Sequence, residues 1–113
     1  MADVLGAFEQ AVLLALVKPS TELGKEAYGR AVLNEVQIRL DRPVAAGAVY
    51  ATLDRLEEKG LISSRLGPGT EVRAGRPRRY YTIEPAGIRA LNEAKAAADR
   101  MWGGVRWPLR GPA

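Results

Sequence analysis

The residues best suited to chemistry in this chain are arginines. Between residues 63 and 83 lie Arg65, Arg73, Arg76, Arg78 and Arg79, opposed by one acid, Glu71. That surplus of four positive charges equals the formal net charge of the whole 113-residue chain, +4, so the remainder is neutral. A guanidinium is a fixed, planar donor fork that matches phosphate oxygens and the guanine edge in pairs. A neutral body with one cationic projection is the electrostatic footprint expected of a nucleic-acid binder. Within the projection, Gly75-Arg76-Pro77-Arg78-Arg79 sets cations on backbone stiffened by Pro and opened by Gly. Gly-Arg-Pro segments flanked by Arg fit narrow A·T minor grooves, where the negative potential is enhanced. Ala74 stands where an AT-hook core has a further Arg. The competing reading is a solvated loop whose charges serve solubility.

Composition argues against other chemistries. The chain has no Cys, hence no disulfide, thiolate nucleophile or Cys-based metal site. It has no His, which removes the commonest general base and metal ligand. Catalysis would then need a carboxylate pair or a Lys in a pocket, whereas the acids here mostly stand beside bases at positions expected to be exposed on helices. Gly67-Pro68-Gly69 follows a predicted strand but leads into the basic segment, not into a phosphate-binding helix. No enzyme activity, metal or cofactor is expected. The longest unbroken apolar run, Ala11–Val17, falls well short of the ~20 residues that span a bilayer. Met1-Ala-Asp lacks the basic start of a signal peptide. The expectation is a cytoplasmic protein without membrane contact.

These arginines need elements to aim them. Val4, Leu5, Phe8, Val12 and Leu16 recur at three- and four-residue steps, which predicts a helix over roughly 4–18 that is buried on more than one side. One side would meet the core and the other a second subunit. Tyr28, Val32, Val36 and Leu40 predict a second helix over about 25–40, stopped by Asp41-Arg42-Pro43. A third helix, Ala46–Lys59, turns Val49, Leu53 and Leu56 inward and has Gly60 in the C′ position. Two helices joined by a short turn make a helix-turn-helix. The period then changes: 61–66 and 79–83 read as strands of a hairpin with a long basic tip. Two strands alone are marginal in water, so the hairpin must pack on the helices as a wing. Pro85 opens a last helix, ended by Gly103-Gly104. The expected fold is mainly α with a two-stranded β wing, a winged helix-turn-helix with an added C-terminal dimerisation helix. Residues 1–84 would form the DNA-binding region, 85–102 the dimerisation helix packed on the same domain, and 103–113 a tail.

The third helix is the candidate reading helix. Gly47, Ala48, Tyr50, Ala51 and Arg55 fall on or near its outer side, and no Ser, Thr, Asp or Asn caps its start. Small side chains admit the duplex closely, and uncapped N–H groups can meet a phosphate oxygen. Tyr50 either lies on sugar and donates its hydroxyl to phosphate or is a half-buried core residue. Thr52 either contacts phosphate or faces solvent; Arg55 reaches phosphate or pairs with Asp54 or Glu58. The candidate DNA contacts are thus Gly47, Ala48, Tyr50, Ala51, Thr52 and Arg55 on the helix, with Arg73, Arg76, Arg78 and Arg79 on the wing. In the last helix, Ala94 and Ala98 between Leu91 and Met101 would let another helix approach or would pack on their own core. Phe8, Val12, Leu91, Ala94, Ala98, Met101 and Trp102 form the candidate dimer interface. Trp102 is either an interface anchor or a wall for a flat aromatic effector.

Two blocks in this order carry a resemblance. Residues 47–62, Gly-Ala-Val-Tyr-Ala-Thr-Leu-Asp-Arg-Leu-Glu-Glu-Lys-Gly-Leu-Ile, are followed by Gly75-Arg76-Pro77-Arg78-Arg79-Tyr80-Tyr81 and Ala86-Gly87. With Tyr28-Gly29 at the head of the second helix, the chain resembles the PadR family of transcriptional regulators, in its shorter form with one C-terminal helix. The resemblance spans about residues 8–102. It implies a winged helix-turn-helix dimerised through its N- and C-terminal helices, repressing nearby genes, with relief by a small aromatic ligand. Carried over residue by residue, family contacts fall on Gly47, Tyr50 and Arg55 in the third helix and on Arg76 and Arg78 in the wing. Ala48 replaces a usual Thr, Ala51 a frequent Pro, and Glu84 the Thr that usually caps the last helix. The expected function is that of a sequence-specific, ligand-responsive repressor, binding double-stranded DNA as a homodimer on a pseudo-palindromic operator. The alternative is a winged-helix adaptor that binds protein without DNA, for which an acidic or apolar wing would be the signature.

Overall fold

The computed structural model describes residues 5–17, 27–67, 72–73, 76–77 and 79–112. Helix α1 (Ala7–Val17) starts where the Gly6 N–H donates to the Glu9 carboxylate at 3.1 Å, half of a capping box. Its run Ala11-Val12-Leu13 is buried without a break, as are Ala15 and Leu16. A helix with so broad an apolar surface needs cover on several sides, and α1 contacts three other helices and the sheet of its own chain, while Val17 at its end stays exposed. Val12 is wholly buried there, at 0 % exposure. This corrects its assignment to a dimer interface: the side of α1 expected to face a partner at Val12 is filled by its own subunit.

A short strand, β1 (Ala27–Tyr28), precedes helix α2 (Gly29–Leu40). The predicted second helix is therefore shorter at its start: residues 27–28 are extended, and 25–26 lie outside the described residues. Val32 and Val36 are its buried stripe. Asp41 ends it in the left-handed region at φ 54°, a conformation Asp tolerates better than most residues. The Val44 N–H then donates to the Gln37 side chain at 3.1 Å, which fixes the turn into helix α3 (Ala46–Glu58). At the far end of α3, Gly60 N–H returns to Glu57 O and Leu61 N–H to Leu56 O, with Gly60 at φ 78°. That pair of bonds is a Schellman motif, and the positive φ is why glycine stands there.

Strands β2 (Ile62–Leu66) and β5 (Arg79–Ile83) pair antiparallel from Ile62↔Ile83 to Leu66↔Arg79. The expected two-stranded wing is present, and β1 joins its other edge through Ala27↔Tyr81 and Tyr28↔Tyr80, giving the order β1-β5-β2. Further out, β3 (Val72–Arg73) and β4 (Arg76–Pro77) pair as a small ribbon. Ile62 and Tyr81 anchor the sheet in the core. Helix α4 (Pro85–Met101) opens on Pro85, as its sequence predicts. Glu84 gives no side-chain cap to it; instead its carboxylate accepts the Ser63 hydroxyl at 2.7 Å, while its N–H donates to Leu61 O at 2.9 Å. Of α4 only Gly87 is buried; Leu91 and Ala94 are partly covered by their own core. The chain extends 61 Å along its longest axis. No described helix is long and apolar enough to cross a membrane.

Candidate nucleic-acid interface

The buried stripe of α3 is Val49, Thr52, Leu53 and Leu56. Everything else on the helix except the half-buried Glu57 faces outward, including Ala46, Gly47, Ala48, Tyr50, Ala51, Asp54 and Arg55. Ala45 is the N-cap and makes no side-chain cap bond; the first returns to it are from Ala48 and Val49 N–H, at 3.1 and 3.3 Å. A Cβ built on Gly47 meets nothing within 4 Å. Packing within the subunit therefore does not dictate this small side chain, and the amino end of α3 is open to a partner that approaches its backbone closely.

Two side chains behave differently from their expected roles. Thr52 is buried at 2 % exposure, so it contacts neither phosphate nor solvent, and it leaves the set of candidate DNA contacts. Its Oγ1 accepts a bond from Arg55 Nη2 at 3.0 Å, which is what satisfies the buried hydroxyl. Arg55 is thus exposed yet tethered to its own helix rather than paired with Asp54 or Glu58 as one reading had it. Tyr50 is 43 % exposed and lies over the first residue of α2.

On the wing, Arg79 is exposed, and its Nη1 donates to Ser64 Oγ at 2.9 Å. Ser64 Oγ in turn donates to the Glu57 carboxylate at 2.9 and 3.0 Å. Arg79 therefore sits where the β2–β5 ladder ends, opposite Leu66, and is linked through Ser64 to the last turn of α3. Arg73 and Arg76 face each other across β3 and β4 in register; their side chains, and all of Arg78, lie outside the described residues. Arg65 lies with its guanidinium 5.3 Å from the centre of the Tyr80 ring, and Tyr80 meets Tyr28 edge to face at 6.2 Å. Sequence reasoning counted Arg65 only as charge and missed this contact; the alternation of β2 against Tyr80 was the available signal. Tyr81, beneath, is held neutral beyond the usual phenol range because burial disfavours its anion, with Arg79 pulling the other way.

The remaining candidates lie on α1 and at the end of α4. Phe8 is half-buried against the core. Ala98, Met101 and Trp102 are exposed. A groove of about 400 Å³ runs between α1 and α4, lined by Gln10, Leu14, Val17, Ile88, Leu91 and Ala98 among others. Trp102 does not line it. Among the described residues no cluster of His, Cys, Asp and Glu is placed to hold a metal.

A helix-turn-helix whose second helix carries an open amino end, followed at once by a β hairpin and backed by a further helix, defines a winged-helix protein. A profile of the transcriptional regulator PadR-like family matches residues 20–93, about two-thirds of the chain, and the chain belongs to that family. It is similar in structure to a PadR-like transcriptional regulator from Bacillus cereus, at a TM-score of 0.70 and 24 % identity, over 95 % of each chain. A PadR family transcriptional regulator from Eggerthella lenta is 31 % identical, with a TM-score of 0.61, over 83 % of this chain and 76 % of the other. Transcriptional regulator Rv3488 of Mycobacterium tuberculosis is 41 % identical over 58 residues, 51 % of this chain and 50 % of that protein, so the match spans about half its length.

Proposed function

We propose that this transcriptional regulator binds double-stranded DNA as a homodimer, with α3 in the major groove and the basic ribbon against the neighbouring backbone or minor groove. The carrying observation is the amino end of α3: uncapped, exposed, built of side chains no larger than methyl, with open space at Gly47, with Tyr50 about one turn on and Arg55 further along the helix. Gly47, Ala48, Tyr50, Ala51 and Arg55 would meet the duplex from the helix, and Arg73, Arg76, Arg78 and Arg79 from the wing. Residues 1–84 serve as the DNA-binding region in this reading. Residues 85–102 pair two copies through the exposed face of α4, with Ala98, Met101 and Trp102 reaching the partner and Phe8, Leu91 and Ala94 at its margin. Two-fold symmetry then sets two reading helices about 34 Å apart on a pseudo-palindrome. The regulator acts as a repressor, and a flat aromatic effector is taken at the α4 interface beside Trp102. The α1–α4 groove, which Trp102 does not line, is a separate concavity whose volume lies in the range of small-molecule pockets.

The test is selection of bound fragments from genomic DNA at two salt concentrations, with sedimentation to give the oligomeric state. Paired half-sites one helical turn apart and a two-subunit particle are expected. A chain that retards no fragment at low salt refutes the DNA reading; a monomer bound to single half-sites refutes the dimer.

A further inference from the structure

Two buried glycines of this chain do different work. At Gly87 a Cβ would run into backbone, the carbonyl oxygen of Leu61, and into the Ile83 side chain. At Gly29, the first residue of α2, the three nearest atoms to such a Cβ all belong to the Tyr50 ring: Cε1, the hydroxyl oxygen and, at 2.7 Å, Cζ. Those atoms are the far end of a side chain on another helix that is 43 % exposed, so it can yield by a change of χ1. The opposite response, movement of α2 away from Tyr50, is opposed by the sheet. Tyr28 immediately before Gly29 is paired with Tyr80 in the sheet, its ring lies edge to face on Tyr80, and Arg65 lies over that same ring. The start of α2 is thus pinned to the wing, and Tyr50 is the part that gives.

We infer that Gly29 is a positioning residue for DNA binding: it reserves the space that holds the Tyr50 ring against α2, and so sets where the Tyr50 hydroxyl meets the duplex. Gly29 touches no DNA in this account. Its effect passes wholly through Tyr50, and the inference rests on the DNA-binding reading above. The geometry also explains why a glycine at a helix start, with no positive φ to require it, is needed there.

Gly29→Ala, Tyr50→Ala and the double variant provide the test, with binding to a labelled mixed-sequence duplex of about 24 base pairs read by fluorescence anisotropy at about 50 mM salt. Gly29→Ala is expected to weaken binding by about three- to tenfold, the worth of one misplaced neutral hydrogen bond. It should shift Tm by less than about 3 °C, since only an exposed ring must move. In the Tyr50→Ala background the same substitution should change binding by less than about 1.5-fold, because nothing remains to displace. Equal losses in both backgrounds, no loss in either, or a Tm drop beyond about 8 °C each overturn the inference while leaving the DNA reading intact. Failure of the unmutated chain to bind the duplex overturns both.

Discussion

Gly87→Ala is the most direct probe of how α4 is set on the wing. A methyl group at this position overlaps the Leu61 carbonyl and comes within 2.7 Å of Ile83 Cγ1 and 3.2 Å of Cδ1. That carbonyl is already engaged, accepting the Glu84 N–H at 2.9 Å in the bond that joins the start of α4 to the head of β2. The nearest neighbour, the Leu61 carbonyl, is backbone, so backbone must shift whatever the Ile83 side chain does. Overpacking of this kind costs about 1–3 kcal/mol, and weakening the Glu84–Leu61 bond adds about 0.5–1 kcal/mol. Replacing glycine inside a helix returns about 0.5–1 kcal/mol. The net loss is about 1–3 kcal/mol, and with an unfolding entropy near 0.24 kcal/mol/K for a chain of this length, Tm should fall by about 4–12 °C. Circular-dichroism melts measure it, with Gly47→Ala as the control, since that Cβ enters open space and its Tm should stay level or rise. A Gly87→Ala melt within about 2 °C of the parent would show that α4 accommodates the methyl and that the packing argument is wrong.

Other expectations are as direct. If each subunit of a dimer neutralises about three phosphates, log K should fall against log salt with a slope near −5, and Arg76→Ala or Arg78→Ala should weaken all sequences alike and flatten that slope. Affinity constant across a salt titration would contradict it. Leu53→Ala empties a site of 0 % exposure on the buried face of α3 and should cost about 2–5 kcal/mol in urea unfolding, seen as a lower midpoint with m unchanged. Tyr81 has its phenol pKa raised by burial, so the unfolded chain ionises first and stability should be lost as pH rises above about 10. With no His in the chain, melts between about pH 6 and pH 9 should show little change. A marked rise or fall there would point to another titrating group.

Much of this architecture is legible in the residues because punctuation and period agree. Gly60 marks the end of α3, Pro85 the start of α4, and alternation marks β2 and β5. What escaped has physical causes. Strand β1 is two residues long, too short for any period to register, and it borrows the first residues of an apparent helical stripe. Val12 belongs to a run that is apolar on every side, and periodicity cannot say which molecule covers which side. Thr52 is the more instructive error. Positions 49, 52, 53 and 56 are spaced as one helical face, yet a hydroxyl there reads as surface; only the bond from Arg55, one turn on, makes its burial affordable. The link from Arg79 through Ser64 to Glu57 joins residues far apart in sequence and belongs to the fold alone.

The register of the sheet has an evolutionary consequence. All seven residue pairs that fix β5 against its neighbours lie on the body side of Gly67, and among the described residues β3 and β4 beyond it pair with each other. Lengthening or rewriting the tip costs little closure entropy, since that term grows only with the logarithm of loop length. On the proposed DNA-binding reading, target choice at the tip can therefore drift from one descendant to the next, while the scaffold that presents it stays unchanged.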